Sequence, residues 1–138
     1  KRLPRTEFAA AVAQIAGADV PADWDGDSMC DWLDRGEATW RDFAVSEYYA
    51  HNIASGFAMI RHGRYKYVYH TPPDNRRRRD LELYDLKTDP GEFTNLAARP
   101  EHQKRIGRLH KKLVKELGRH PDESEMLCRR DYERGYAR

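Results

Sequence analysis

A run of polar side chains near the middle of the chain carries its best candidates for chemistry. It reads Ser-Glu-Tyr-Tyr-Ala-His-Asn over residues 46–52, at the end of the first predicted strand. Glu47 and His51 would bring a carboxylate and an imidazole near a substrate, because loops at strand ends hold side chains on rigid support. The alternative is an edge-strand carboxylate and a loop histidine in water, with no role in catalysis.

Two further carboxylates fit structural roles better than chemical ones. Asp85 and Asp89 lie around a turn and could form a paired-carboxylate site. Asp side chains in such loops commonly accept hydrogen bonds from turn N–H groups, and we predict that role for both. Lys66 could form an ion pair with Glu47 or Glu82 if their strands are neighbours.

Metal-binding spacing is absent from the sequence. Cys30 and Cys128 lie far apart without a C-x-x-C pattern, and the histidines at 62, 70, 102, 110 and 120 do not converge in sequence. Structural zinc sites use closely spaced ligands. We therefore predict no metal ligand in this chain.

Composition argues against some classes of partner. The 138 residues carry a net charge of only +2, which gives no global field for nucleic acid. Four arginines in the proline-containing loop 71–80 lack interleaved aromatic residues, so we interpret them as a solvated run. No stretch approaches the ~20 apolar residues of a membrane span, and the first residues lack the apolar region of a signal peptide. We predict neither a nucleic-acid nor a membrane partner, and the sequence assigns no compartment.

Hydrophobic periodicity changes along the chain from helical to alternating and back to helical. Tyr65, Tyr67 and Tyr69 share one face of a strand, which favours an aromatic row packed under a helix over a ligand platform. Ile106 and Leu113 belong to an apolar stripe of the width that covers a sheet. The predicted helices are 7–16, 28–33 and 101–118, and the predicted strands are 43–49, 57–61, 64–70 and 82–86.

These elements predict an α+β fold. A small four-stranded antiparallel sheet would carry one long C-terminal amphipathic helix across one face, preceded by a short helical segment. We divide the chain into a helical lead-in at 1–40, an α+β subdomain at 41–120 and an extended tail at 121–138. Hydrophobic residues make up 39% and charged residues 35% of the chain. This hydrophobic content is low for an independent core and indicates a fragment that packs against a larger protein.

Three blocks of the sequence occur in the order found in one enzyme family. Leu81–Ala97, LELYDLKTDPGEFTNLA, resembles the E-L-Y-D-L-x-x-D-P-x-E-x-x-N-L segment near the C-terminus of type I sulfatases. Ala13–Leu33 resembles their L-x-x-A-G-x-x-x-P-x-x-x-D-G-x-S-L-x-x-L block, with Met29 where Leu is usual. Met59–Val68, MIRHGRYKYV, resembles their M-I-R-x-G-x-Y-K-Y hairpin. These formylglycine-dependent hydrolases belong to the alkaline-phosphatase-like superfamily.

The resemblance implies that the chemistry lies outside these residues. A complete sulfatase carries C/S-x-P-S-R near its N-terminus, where Cys or Ser becomes formylglycine, together with a set of residues that binds Ca²⁺ or Mg²⁺. Neither Cys30 nor Cys128 stands in such a motif. The chain alone is therefore expected to hold no catalytic residue, no metal and no cofactor.

The resemblance also implies a role and a partner. In sulfatases the region corresponding to the first strand end resembles a wall of the substrate pocket, so Glu47, Tyr49 and His51 are candidates for substrate contact. The expected partner is the large catalytic domain upstream in the same protein, and the tail could support a homo-oligomer. The expected function is the C-terminal part of an enzyme that hydrolyses sulfate monoesters, completing its fold and lining the rim of its pocket. Alternatives are a related phosphonate or phosphate ester hydrolase, a stand-alone binding domain and an inactive remnant.

Overall fold

The chain is organised as two compact units, Lys1–Arg41 and Asp42–Arg138, in a computed structural model that describes residues 5–24, 26, 28–36, 41–49, 55–72 and 80–135. The first unit contains helices α1 (Arg5–Ile15) and α2 (Cys30–Arg35). The second contains strands β1 (Phe43–Tyr48), β2 (Phe57–His62), β3 (Tyr65–His70) and β4 (Leu81–Asp85), then a 3-10 turn (Pro100–His102), α3 (Gln103–Leu117) and α4 (Pro121–Arg134).

The four strands form one antiparallel sheet in the order β1-β2-β3-β4. Each strand pairs with its neighbour in sequence, as short connections favour. The predicted α+β architecture with a long helix is confirmed. Strand boundaries fall within one or two residues of those predicted from alternation.

The core of the second unit lies between α3 and one face of the sheet. Tyr67 and Leu83, from the two strands β3 and β4, and Leu113, from α3, are at most 1% exposed. The tyrosine row packs as predicted, because Tyr67 and Tyr69 are buried and both contact the His110 ring of α3. The helix therefore covers the aromatic face of β3.

The predicted strands leave residues 62–63 for the β2–β3 turn, and the observed turn lies one residue later. His62 pairs with Tyr65 at the end of the ladder, so Gly63 and Arg64 form the two-residue turn. Gly63 has φ +57°, and among the described non-glycine residues only Glu92 has a positive φ. A glycine with positive φ at the first central position is typical of the II′ turns that fit the twist of a hairpin.

The extended tail predicted at 121–138 is wrong, because residues 121–134 form α4. Its beginning has recognisable signals. The His120 ring accepts a hydrogen bond from the Asp122 N–H, Pro121 occupies the first helical turn, and Asp122 and Glu123 place negative charge at the positive end of the helix dipole. The described part of the tail thus belongs to a helix, and residues 136–138 lie outside the described residues.

The first unit places small residues inward and large ones outward. Ala10 and Ala11 of α1 are buried, and the Cys30 thiol donates to the Ala11 carbonyl at 3.7 Å. By contrast, three large side chains that share one stripe of α1 are exposed, at 65% for Phe8, 48% for Val12 and 72% for Ile15. Trp24, Trp32 and Leu33 are also largely exposed. A stable helix usually buries such a stripe, whereas this one is exposed among the described residues.

Candidate functional site

Two of the three candidate residues lie together at the end of β1. Glu47 sits opposite Ala58 of β2 in the ladder, and Ala58 sits opposite Tyr69 of β3, so Glu47 shares the face that α3 covers. Its carboxylate is exposed, whereas Tyr49, just past the strand, is half-buried. The third candidate, His51, lies outside the described residues, as do the four arginines of the 71–80 loop.

The Tyr49 hydroxyl group is buried and has a raised pKa. Burial raises the pKa of the Tyr49 phenol, and the nearby charge of Glu47 raises it further. Its oxygen is inaccessible to solvent, and the side chains of Glu47 and Ser124 lie near it. The phenol therefore stays protonated at neutral pH, so it can donate a hydrogen bond but cannot act as a base.

Helix α4 packs beside this site through a buried carboxylate. Glu125 is 8% exposed and accepts hydrogen bonds from the Thr71 hydroxyl at 3.3 Å and from Arg129 Nε at 2.6 Å. The Thr71 hydroxyl also lies 3.1 Å from the carbonyl oxygen of Gly56. Glu125 thus joins α4 to Gly56, which precedes β2, and to Thr71, which follows β3. Sequence reasoning missed this contact because it missed the helix.

Gly56 is the position where this packing is tightest. A Cβ atom there would overlap the Glu125 carboxylate and the Tyr49 ring, whereas one at Gly107 of α3 would meet nothing within 4 Å. Gly56→Ala is expected to lower the free energy of unfolding by about 1–3 kcal/mol. Gly107→Ala, the matched control, is expected to raise it by up to about 1 kcal/mol, since alanine is the better helix former. Urea denaturation measures both, and equal effects would contradict the close approach of Glu125 to Gly56.

A second polar cluster joins the tyrosine row to the two C-terminal helices. Tyr67 shares a hydrogen bond of 3.2 Å with His110 Nδ1, and the Tyr69 hydroxyl donates to Asp122 at 2.7 Å. The rings of His110 and His120 lie 5.2 Å apart. These histidines are not close together in the sequence, but His110 follows Leu109 on the sheet side of α3, and this position is the signal that indicates a contact with the tyrosines.

Asp85 and Arg64 form an ion pair that does not follow from their sequence pattern. Arg64 Nε donates to Asp85 Oδ1 at 2.6 Å, and Arg64 Nη2 donates to Oδ2. The predicted turn role is also confirmed, because Asp85 Oδ1 accepts from the Lys87 N–H at 3.2 Å. Asp85 is 6% exposed, and the guanidinium of Arg64 is the main reason that its pKa falls to about 2.

This ion pair predicts a specific acid dependence. The folded pKa of Asp85 lies below the value of about 3.9 in an unfolded chain. Its stabilising contribution is therefore fully present above pH ~4 and is lost as the pH falls through about 2. Asp85→Asn is expected to be less stable at neutral pH and to lose less stability between pH 4 and 2. Thermal melts against pH, with exposed Asp80→Asn as control, check this, and parallel curves for wild type and Asp85→Asn would contradict it.

Polar side chains in the segment that follows β4 form hydrogen bonds with backbone groups of the turn and of β4. Asp89 accepts hydrogen bonds from the N–H groups of Phe93 and Thr94, as predicted. Asn95 Oδ1 accepts from the Leu83 N–H at 3.1 Å, and its Nδ2 donates to the Leu81 carbonyl at 3.0 Å. These bonds cover the outer edge of β4. The motif over 81–97 is therefore structural in this chain.

The predicted partners of Lys66 are wrong. Its ammonium group pairs with Glu92 at 2.5 Å, not with Glu47 or Glu82. Glu92 has φ +59° in the turn after β4, a conformation that sequence patterns do not assign to glutamate. Glu82, on β4, instead contacts His70 Nε2, on the neighbouring strand β3, at 2.7 Å.

Metal chemistry does not fit the described side chains. No group of three or more His, Cys, Asp or Glu residues in the described part of the chain could hold a metal ion. Burial and the charges of neighbouring carboxylates raise the pKa of the Cys128 thiol, so its sulfur stays protonated. No helix in the described ranges is long and apolar enough to cross a membrane.

Comparison with known proteins gives consistent matches. A family model described as N-sulphoglucosamine sulphohydrolase, C-terminal, matches residues 3–119. The chain is 33% identical over 105 residues to a Delta 4,5-hexuronate-2-O-sulfatase of Bacteroides thetaiotaomicron, covering 73% of this chain and 21% of that protein. The chain thus spans about a fifth of the length of the curated relatives it matches. Helix α4 begins at Pro121, just beyond the family match.

Solved structures match in the same way. One, solved in complex with its substrate D-glucosamine-2-N,6-O-disulfate, gives a TM-score of 0.70 at 28% identity and covers 85% of this chain and 25% of that chain. A phosphonate monoester hydrolase of Agrobacterium radiobacter gives a TM-score of 0.67 at 26% identity, covering 81% of this chain and 24% of that chain. Both similarities involve only a minor part of a much longer protein.

Proposed function

This chain belongs to the family described as N-sulphoglucosamine sulphohydrolase, C-terminal, and from that premise we propose that the complete protein hydrolyses sulfate monoesters. The chain is a C-terminal part of a sulfatase-family protein. The observation that carries the proposal is the family match over residues 3–119, together with a sulfatase relative of which the chain covers only 21%. Two of the matched proteins act on or bind sulfated sugars, so we propose a sulfated carbohydrate as the substrate class.

The reactive groups belong to the rest of the protein in this proposal. The upstream part would supply a formylglycine nucleophile and a divalent cation, Ca²⁺ or Mg²⁺, which together attack and polarise the sulfate ester. The described residues of this chain do not fit the role of metal ligands. This chain contributes no step of bond cleavage.

The role of this chain is to complete the fold and to line the rim of the pocket. Glu47, Tyr49 and His51 would contact substrate from the end of β1. The raised pKa keeps the Tyr49 phenol neutral, and because its hydroxyl is inaccessible to solvent, its proposed contact with substrate is through the ring. The exposed charge of Glu47 suits sugar hydroxyls, which donate to it, and disfavours a sulfate group next to it.

The large catalytic domain is the proposed partner of the first unit. The exposed stripe of α1, formed by Phe8, Val12 and Ile15, supports this assignment because it has the composition of a buried helix face. We propose that the lead-in at 1–40 is the tail end of that domain or its connector, and that the subdomain begins near residue 41. A homo-oligomer formed through residues 121–138 stays a prediction.

Phosphonate ester hydrolysis is the second candidate activity. The similarity to the Agrobacterium radiobacter phosphonate monoester hydrolase favours it, since identity and fold agreement are close to those of the structure solved with a disulfated glucosamine. Both groups attacked are tetrahedral monoanions at neutral pH, and they differ in the central atom and in the carbon substituent that phosphorus carries. This chain would line the leaving-group side in both.

Paired ester substrates distinguish the candidates. The complete gene product should hydrolyse an aryl sulfate faster than an aryl phosphonate monoester with the same leaving group. The reverse preference would establish the second candidate, and hydrolysis of neither would favour a binding domain or an inactive remnant.

Substitution of Glu47 tests the proposed rim. Glu47→Gln should raise KM for a sulfated sugar about tenfold or more while changing kcat less, because a charged acceptor of sugar hydroxyls is lost. Glu123→Gln is the control, because it replaces an exposed carboxylate of α4 with the same amide. Equal kinetics for the two variants would contradict a rim role for Glu47.

A further inference from the structure

The outer surface of α3 carries a row of basic side chains. The helix contains six lysine and arginine residues and one glutamate within fifteen residues. Lys104, Arg108, Lys111 and Lys115 follow one another at helical spacing, and all four are exposed. We call these four residues the outer basic stripe. It extends about 16 Å along the helix axis.

The two remaining basic residues of α3 are engaged with the sheet side. The Arg105 guanidinium lies 3.9 Å from the centroid of the Tyr65 ring. Lys112 Nζ lies 4.0 Å from the centroid of the Phe43 ring and 3.8 Å from a Glu116 oxygen. By contrast, no residue of the outer basic stripe makes a salt bridge within the described ranges. The stripe is therefore a concentrated positive charge with its donors directed to solvent.

The opposite face of α3 determines which anionic surface the stripe can meet. Ile106, Leu109 and Leu113 are buried against the sheet and are not available for insertion into lipid. A membrane-surface helix needs an exposed apolar face beside its basic one. Proteins that bind single-stranded nucleic acid add aromatic side chains for base stacking, and the stripe has none. A flexible polyanion that offers only charge fits the stripe best.

We infer that the outer basic stripe is a docking surface for a sulfated polysaccharide chain. The inference rests on the proposed function and extends the proposed substrate class to polymers that carry repeated sulfate groups. Sulfate monoesters stay ionised at every physiological pH, and several weak contacts along one chain add up through effective concentration. The stripe would hold the polymer while the remote catalytic pocket works on a single sulfate.

The test compares two sets of four charge removals in the complete gene product. One variant changes the stripe, as Lys104→Gln, Arg108→Gln, Lys111→Gln and Lys115→Gln. The matched control removes four exposed charges scattered elsewhere, as Lys87→Gln, Arg99→Gln, Arg130→Gln and Arg134→Gln. Binding of heparin oligosaccharides is measured at 0.1 M salt, beside de-sulfated heparin, a DNA duplex and anionic lipid vesicles.

The stripe variant should bind heparin at least about tenfold more weakly than wild type, and the control variant should change much less. De-sulfated heparin, DNA and vesicles should bind wild type more weakly than heparin does. Equal losses in both variants would overturn the proposal, as would equal or tighter binding of DNA or vesicles. If the stripe variant does not fold, the double variant Arg108→Gln, Lys111→Gln replaces it, with a loss of about threefold expected.

Turnover of a small aryl sulfate by the same preparations tests the proposed function separately. The stripe variant should retain wild-type turnover, because the stripe does not contact a small substrate. Stripe-dependent heparin binding without any turnover would support the docking surface and contradict the sulfatase activity. Loss of small-substrate turnover in the stripe variant would overturn the assignment of the stripe to polymer docking alone.

Discussion

Leu113→Ala is expected to destabilise the second unit by about 2–5 kcal/mol. Leu113 is fully buried between α3 and the sheet, where it belongs to the core cluster with Tyr67 and Leu83. Truncation removes the transfer free energy of the lost methyl groups and leaves a cavity that the rigid sheet cannot fill. Because a small domain has a total stability of about 5–15 kcal/mol, this single change should lower the urea midpoint strongly.

Lys111→Ala provides the control for Leu113→Ala. Lys111 lies on the same helix but is exposed, so its truncation creates no cavity and introduces a good helix former. Its unfolding midpoint should stay close to that of wild type. A midpoint for Leu113→Ala as high as that of Lys111→Ala would contradict the packing of α3 across the sheet.

Polar substitution of the exposed stripe of α1 should leave the stability of the isolated chain unchanged and should lower the stability of the complete protein. Phe8→Ser, Val12→Ser and Ile15→Ser together remove apolar surface that is exposed among the described residues. The isolated 138-residue chain should therefore keep its stability and become more soluble. In the complete protein, where we propose that the catalytic domain covers this stripe, each truncated side chain should cost about 1.5–3 kcal/mol.

Soluble yield and thermal melts of both forms measure this contrast. The triple variant Ala9→Ser, Gln14→Ser, Ala16→Ser, at exposed positions on other sides of the same segment, controls for the lower helix propensity of serine. It should be nearly neutral in both forms. If the stripe substitutions are also neutral in the complete protein, the proposed interface with the catalytic domain is wrong.

The sheet could be predicted from the sequence because local and long-range signals agree there. Alternating residues such as Tyr65, Tyr67 and Tyr69 fix both the strand and the face that packs under α3. The turn chemistry around Gly63 connects neighbouring strands, so the order β1-β2-β3-β4 needs no long crossover. Helix α3 was equally clear from its apolar stripe.

Helix α4 could not be predicted from the same rules because its apolar residues are few. Met126 and Tyr132 are exposed, and the helix is attached mainly by the polar contacts of Asp122 and Glu125. Periodicity of hydrophobic residues does not detect such packing. His120 and Pro121 are capping signals, but the polar composition that follows them is equally typical of an extended tail.

The candidate site could be predicted only in part, because some of its properties depend on contacts between elements that are distant in the sequence. Glu47 and Tyr49 lie near each other because they are two residues apart on one strand, which the sequence shows directly. The partial burial of Tyr49 and its raised pKa depend on packing that sequence cannot reveal, including the proximity of Ser124 of α4. The ion pairs of Arg64 and Lys66 likewise depend on turn geometry.

The most direct test of the central claim is peptide mass spectrometry of the complete gene product for a C/S-x-P-S-R segment upstream of this chain. We predict that the segment is present and that its Cys or Ser is converted to formylglycine, detectable as the free aldehyde or its hydrazone adduct. A complete product that lacks this segment, or carries it only unconverted and inactive, would contradict the assignment of this chain to a working sulfatase.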